Sequence, residues 1–516
     1  MRSRYFISLF LFMAVSMTAP VTSSFAFTLE EASISDVHQA MKAGKVTARQ
    51  ILEHHLRRIE AYDKTGPAIN AIIQINPKAR EDADRLDALF RKSGMTGPLH
   101  GIPIFIKDAI ATNDLPTTGG SLSLKGFVPR TEATIVRKLK EAGAIILGKT
   151  NLDEFTFGTR GISSVGGQTL NPYDLTRNPA GSSGGSGAAV SANFAMAAIG
   201  TDTGSSIRFP SSATSLVGLR PTVGLISRAG IMPNSMTQDT GGPLTRSIAD
   251  AAIILNAIAG YDSLDGATAW SIGQSPKSYM SALDPKGLKG KRIGILKSFF
   301  GTGTDAADVN SAMSASLEAM KKGGATIIPL DDAYDINEIG AMQVATYETS
   351  FYFDAFLKQE GAPYTSLEAI LGSGKYAKEI EESTRNRVKL SMKDPEFKER
   401  MTKRHLLQDR VMKLMADHRL DAIVYPFSRT LVGKIGGAQA RHNGFLSAVT
   451  GFPSLILPAG FSSPSSTAPV GVPIGLEMLG RPWSEALLLK IGYSFERATR
   501  FRRAPMSAPT LKAVQK

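Results

Sequence analysis

One lysine and two serine-bearing stretches carry the residue types that nucleophilic catalysis needs. The run "NPAGSSGGSGAAV", residues 178–190, places three serines and four glycines in the seven positions from Gly181 to Gly187. A flexible linker would continue as polar, low-complexity chain, but Ala188, Ala189 and Val190 begin a small apolar run to Ile199, so the glycines sit inside a packed domain. A helix of roughly ten residues from Ala188 to Met196 climbs about 15 Å, and a return strand of about five residues covers about 17 Å. That excursion brings Ser182 back to Ser206 in "GTDTGSSIRFP", residues 200–210. The third group is Lys107 in "GIPIFIKDAI", which follows Ile104, Phe105 and Ile106 out of a buried strand. Burial disfavours the ammonium and lowers a lysine pKa toward the range in which it acts as a base. Ser–Lys catalysis is one reading; a structural pairing of Lys107 with Asp108 or another carboxylate is the other.

Two further patterns compete for the same chemistry. Gly143-Ala-Ile-Ile-Leu-Gly148-Lys149-Thr150 satisfies the P-loop pattern letter by letter, but its middle residues are strand formers where a phosphate cradle needs an open loop. Gly181-Ser182-Ser183-Gly184-Gly185 fits the nucleophile elbow, with Ser183 as nucleophile and a downstream histidine as its base. The downstream histidines are His405, His418 and His442, and each reads as a structural histidine on an amphipathic helix or loop. His54 and His55 are adjacent on a helix and diverge around its axis, so they make no metal pair.

These residues need a scaffold of buried strands. The runs "GIPIFI", "GAIILG", "RIGIL" and "DAIVYP" recur between helical patterns, as strands buried on both faces do. The pattern predicts an α/β fold: a single large domain, 27–516, with a central mixed sheet flanked by helices. Thr28 with Glu31, and Thr47 with Gln50, read as helix-opening capping boxes, so the front, about 27–70, is helical. Residues 331–418 are rich in charge and helix formers and predict a helical excursion that shapes substrate access.

Composition narrows the partners. With 42% hydrophobic and 20% charged residues, the 516-residue chain has an ordinary globular composition and ample core material. Arg2 and Arg4 precede an apolar stretch from Tyr5 to Met17, and Ser24-Phe25-Ala26 offers small residues where a signal peptidase reads. Residues 1–26 therefore predict a signal peptide cleaved after Ala26, and a periplasmic or secreted mature protein. The apolar stretch falls short of the about 20 residues of a membrane span. There is no cysteine, hence no disulfide and no Cys-ligated zinc. Losing Arg2 and Arg4 lowers the formal charge from +13 to +11. The remaining basic residues are scattered, and the densest run, "KGLKGKR", leads into a strand, which argues against a nucleic-acid partner.

Taken together, "GPLHGIPIFIKD", "AGAIILGKTNLDEF", "GSSGGSGAAV", "GTDTGSSIRFPSS", "GLRPTVGLIS", "MTQDTGGPLTRSIADAA", "GFPSLILPAG" and "VGVPIGLEMLGRP" resemble the amidase signature family over nearly all of the chain after the signal. Within it the wording "NPYDLTRNPAGSSGG" and the export signal are most similar to secreted, peptide-amidase-like members. The resemblance implies hydrolysis of a carboxylic amide, of a small molecule or a peptide, by a Ser-cisSer-Lys triad. Lys107 matches the base, Ser182 the bridging serine on a cis peptide bond, and Ser206 the nucleophile. The backbone N–H groups of Thr203, Gly204, Ser205 and Ser206 match the oxyanion hole. Asp202 and Arg208 read as structural partners of this turn, and no metal or organic cofactor is called for.

Two positions depart from the family pattern. Ser205 stands where members commonly have glycine, so its side chain narrows the turn or touches substrate, and Ala109 stands where many have asparagine. The same motifs occur in the A subunit of glutamyl-tRNA amidotransferase, a cytosolic component with partner chains. A non-catalytic exported binding protein is a third reading. The identity of the amide and the oligomeric state are not written in the motifs.

Overall fold

The computed structural model describes residues 27–331 and 334–511; the expected signal peptide lies outside them. Thirteen strands are present among the described residues. In chain order they are β1 (Ile72–Ile75), β2 (Pro103–Lys107), β3 (Ile145–Thr150), β4 (Ile162–Ser163), β5 (Gly167–Gln168), β6 (Ala197–Asp202) and β7 (Val217–Arg220). There follow β8 (Thr240–Thr245), β9 (Arg292–Leu296), β10 (Thr326–Leu330), β11 (Ala422–Pro426), β12 (Ser454–Phe461) and β13 (Pro473–Leu479). Eleven of them form one sheet in the order β1-β3-β2-β6-β8-β7-β12-β13-β11-β9-β10, and β4 with β5 makes a small ribbon. The sheet is mixed: β2 runs parallel to β3 and β6, and β9 to β10 and β11, while the strands from β6 through β13 to β11 pair antiparallel.

The four apolar runs are four of these strands, β2, β3, β9 and β11. In β2, Ile104, Phe105 and Ile106 are fully buried. Burying side chains of this size stabilises by roughly 1.5–3 kcal/mol each, enough to carry the following lysine inside with them. Helices Ile248–Ile258, Ala307–Lys322 and Glu485–Thr499 pack against β8 and β12. The segment after β10 holds helices Ile336–Ala341, Ala345–Glu360, Leu367–Ser373, Glu381–Lys389 and Pro395–Asp417.

Two local expectations are corrected. Thr47 and Gln50 do close a capping box, opening the helix Ala48–Tyr62, but Thr28 and Glu31 do not. Glu31 has φ +58° and its carboxylate pairs with Arg502 at 2.7 Å, a charge-assisted bond that removes it from any cap. Ser33 and Asp36 supply the box instead, ahead of the helix Ile34–Lys42. The small-residue helix spans Gly184–Ser191, starting and ending earlier than the apolar run suggests. Its glycines are required by close packing: a Cβ on Gly185 would lie 2.4 Å from the Asn151 carbonyl oxygen. At the other end Asn193, at φ +58°, turns the chain, held by Asn193 Nδ2 donating to Glu31 Oε1 at 2.8 Å.

Candidate active site

The last residue of β2 is Lys107, fully buried. Its Nζ lies 2.7 Å from Ser182 Oγ and 2.8 Å from Thr201 Oγ1. No carboxylate forms an ion pair with it among the described residues. Asp108, one residue on, turns away: its carboxylate accepts from the Thr118 N–H at 3.1 Å and faces Lys149 at 3.8 Å. The structural pairing with Asp108 is therefore absent. Burial pulls the Lys107 ammonium down from 10.5 to about 7, against the upward pull of Asp153, Asp202 and Asp239.

Ser182 follows the cis Gly181–Ser182 peptide bond. Its carbonyl accepts from the Asp153 N–H at 3.0 Å, and the next residue's N–H, that of Ser183, donates to the Ser206 carbonyl at 3.1 Å. The two serine loops are thus joined backbone to backbone. Gly181 packs so tightly on Asp153 that a Cβ there would come within 1.8 Å of Asp153 Oδ2. The Asp153 carboxylate in turn accepts from the Arg160 and Gly161 N–H groups, each at 2.8 Å, and burial raises its pKa to about 6.

β6 ends at Asp202, and the turn Thr203–Ser206 leads to the short helix Arg208–Ala213. Asp202 anchors this turn. It accepts from the Ile207 N–H at 2.9 Å, from Arg208 at 3.0 Å and from Arg220 at 2.9 Å. Burial alone would raise its carboxyl, but the two guanidinium charges reverse that and hold it well below the usual range. Arg208 also donates to Glu477 at 2.6 Å, to the Gly444 carbonyl at 2.7 Å and to the Gly204 carbonyl at 2.9 Å. Thr203 Oγ1 donates to Asp239 at 2.6 Å. The Thr203 hydroxyl and the Gly204, Ser205 and Ser206 carbonyls are thereby engaged, whereas the N–H groups of Thr203, Gly204, Ser205 and Ser206 have no acceptor among the described residues.

A cleft of about 280 Å³ opens over this turn. It is lined by Thr203–Ser206, by Thr156–Thr159 and by side chains from the helical segment after β10, among them Gln343, Arg387 and Arg400. Ser183 is not in its lining: its hydroxyl donates to the Thr201 carbonyl at 3.3 Å, beneath the loop, so the nucleophile-elbow geometry is not formed. The P-loop letters 143–150 run into β3, where Lys149 is buried and donates to Thr117 Oγ1 at 2.9 Å. Among the described residues no group of three or more His, Cys, Asp or Glu is placed to hold a metal ion.

The amidase family model matches residues 50–489. This chain belongs to the amidase family. It is 33% identical to a probable amidase of Arabidopsis thaliana over 96% of this chain and 95% of that one. It is 34% identical to the glutamyl-tRNA(Gln) amidotransferase A subunit of Geobacter sp. strain M21, covering 92% of this chain and 99% of the relative. Among solved structures, the native peptide amidase of Stenotrophomonas maltophilia superposes with a TM-score of 0.85 at 35% identity, covering 93% of this chain and 99% of that one.

Of the two departures from the amidase pattern, Ala109 is fully buried in an apolar cluster with Leu124, Leu152 and Phe155. Ser205 turns its hydroxyl toward His442, with Oγ 3.5 Å from Nε2. His442, read from the sequence as a structural histidine, also lines the cleft. Its ring stacks on Phe427 and meets Phe209 and Phe445. Arg387 is the other cleft residue that sequence reasoning missed. Its guanidinium lies 4.1 Å over the Phe157 ring, it has no carboxylate partner among the described residues, and burial lowers its pKa to about 10. Helical periodicity places Arg387 on an exposed charged helix; only the fold turns it inward. No helix among the described residues is long and apolar enough to cross a membrane.

Proposed function

We propose that this protein hydrolyses a carboxylic amide to a carboxylate and ammonia or an amine, through an acyl-enzyme on Ser206. The observation that carries the reading is the 2.7 Å approach of Lys107 Nζ to Ser182 Oγ, beside a turn whose four N–H groups are unengaged. Neutral Lys107 takes the Ser182 proton as Ser182 takes that of Ser206, and Ser206 Oγ bonds to the amide carbon. The carbonyl oxygen gains negative charge, which the N–H groups of residues 203–206 stabilise. Collapse of this adduct breaks the C–N bond while Ser182 returns a proton to the leaving nitrogen. Water then enters by the same route and releases the acid.

The likeness to a peptide amidase favours C-terminally amidated peptides as substrates. Arg387 adds a cationic wall that suits an amide bearing carbonyl oxygens or a carboxylate away from the scissile bond. A second reading, an amidotransferase A component, has support from the curated relatives of that name. The export signal in residues 1–26 favours the stand-alone enzyme; we assign the mature protein to the periplasm or the medium, with Phe27 as its first residue.

The test is ammonia or amine release by the purified chain alone from primary amides, C-terminally amidated peptides and aryl amides. Turnover without partner chains supports the stand-alone reading. Ammonia release that needs added partner chains supports the second.

A further inference from the structure

The side chains of Ser205 and His442 line the same cleft as the proposed nucleophile and take part in no step above. His442 sits in a segment fixed on both sides: the Arg429 N–H donates to the Arg441 carbonyl at 3.0 Å, and the Asn443 N–H to the Phe427 carbonyl at 2.7 Å. Ring centroids of Phe445, Phe209 and Phe427 lie 4.6, 5.1 and 5.6 Å from that of the imidazole, so its orientation is set by packing. Ser205 is equally confined, since its carbonyl accepts from the Phe209 N–H at 2.7 Å and its Cβ lies against Gly444.

The ring's two nitrogens differ. Nδ1 is buried without a hydrogen-bond partner, and Nε2 faces Ser205 Oγ at 3.5 Å. A buried N–H without an acceptor is rarer and costlier than a bare acceptor nitrogen, so the proton belongs on Nε2. Burial, reinforced by the Arg208 charge, outweighs Asp202, which favours a second proton, and holds the imidazole neutral, lowered to about 4. Nε2–H then donates to Ser205 Oγ, which leaves the Ser205 O–H free to donate into the cleft that both residues line. The distance is at the outer limit for a hydrogen bond, and such bonds tighten when substrate fills a site.

We propose that Ser205 is a side-chain donor to the substrate's carbonyl oxygen, supplementing the backbone N–H groups of residues 203–206, and that His442 is the positioning residue that aims it. The inference rests on the acyl-enzyme reading of Ser206. The Ser205 hydroxyl strengthens its bond as the carbonyl becomes an oxyanion.

The test is a double-mutant cycle with Ser205→Ala and His442→Phe, measured as kcat and KM on a C-terminally amidated dipeptide and as inhibition by phenylboronic acid, which forms a tetrahedral adduct with a serine hydroxyl. Each single variant should lower kcat by about one to two orders of magnitude, with KM changed far less, and weaken the boronate in parallel. The double variant should be no worse than either single one, because His442 acts through Ser205. His442→Gln, whose amide N–H₂ can donate in place of Nε2–H, should recover most of the loss. Full kcat in Ser205→Ala, additive losses in the double variant, or a His442→Gln enzyme as impaired as His442→Phe would each overturn the proposal. Ser206→Ala is the separate control: if it keeps activity, the acyl-enzyme reading fails, whatever Ser205 does.

Discussion

Lys107 Nζ approaches Ser182 Oγ at 2.7 Å, and no carboxylate among the described residues pairs with it. A lysine this deep inside a protein is ordinarily neutralised by an acid. Here its neighbours are two hydroxyls, those of Ser182 and Thr201, and its proton is held loosely enough for exchange near neutral pH.

The first prediction is the pH profile. Activity needs neutral Lys107, so kcat/KM should rise with pH through about 7, the value to which burial lowers this group. Lys107→Met should lose the rise along with most of the activity. Stability follows the same group: between about 7 and its ordinary 10.5 the unfolded chain binds more protons than the folded one, so this residue's contribution rises with pH across that window. Thermal melts of Lys107→Met should lack that slope. A profile in the variant that still rises through neutrality would remove Lys107 as the base.

Ser182 should be separable from Ser206 by leaving group. Amide cleavage expels a nitrogen that must be protonated, whereas an activated ester expels a stable anion. Ser182→Ala should therefore slow a C-terminally amidated peptide more than the matched p-nitrophenyl ester. Equal fractional losses in kcat/KM on the two substrates would remove the proton-donor role.

Gly181 tests the close approach beneath the bridging serine. A methyl at this position would come within 1.8 Å of Asp153 Oδ2, so Gly181→Ala must displace either that carboxylate or the Ser182 loop. Activity should fall by a larger factor than stability would explain. A variant with normal kcat and an unchanged melt would show that the loop tolerates the shift.

The buried ion cluster carries the turn. Arg208 pairs with Asp202 and Glu477, all three fully buried, and removing one partner from such a cluster costs about 3–5 kcal/mol. Arg208→Met should show that loss in urea unfolding, along with loss of turnover. A change under about 1 kcal/mol would mean that Arg220 alone suffices to hold Asp202.

Legibility in the sequence follows distance along the chain. The buried strands and Lys107 at the end of one of them are readable, because short apolar runs determine them, whereas the helix after Ser182 starts earlier than its apolar run suggests. The capping of the first helix is misread because Glu31 is claimed by Arg502, far along the chain, and no local pattern announces that pairing. His442 and Arg387 escape for the same reason. Each looks like an ordinary loop or helix residue until the segments 336–417 and 441–445 fold over the turn Thr203–Ser206. Ser205 stands out in the sequence as a departure, but its partner is visible only in three dimensions.

The covalent intermediate is the most direct point of decision. The protein would be mixed with a p-nitrophenyl ester and quenched within the first turnover, and the acyl group located by intact mass and peptide mapping. A burst of about one nitrophenolate per protein, with the acyl mass on the peptide carrying Ser206 and none in Ser206→Ala, is the expected result. An acyl group on Ser183, or undiminished turnover in Ser206→Ala, would contradict it.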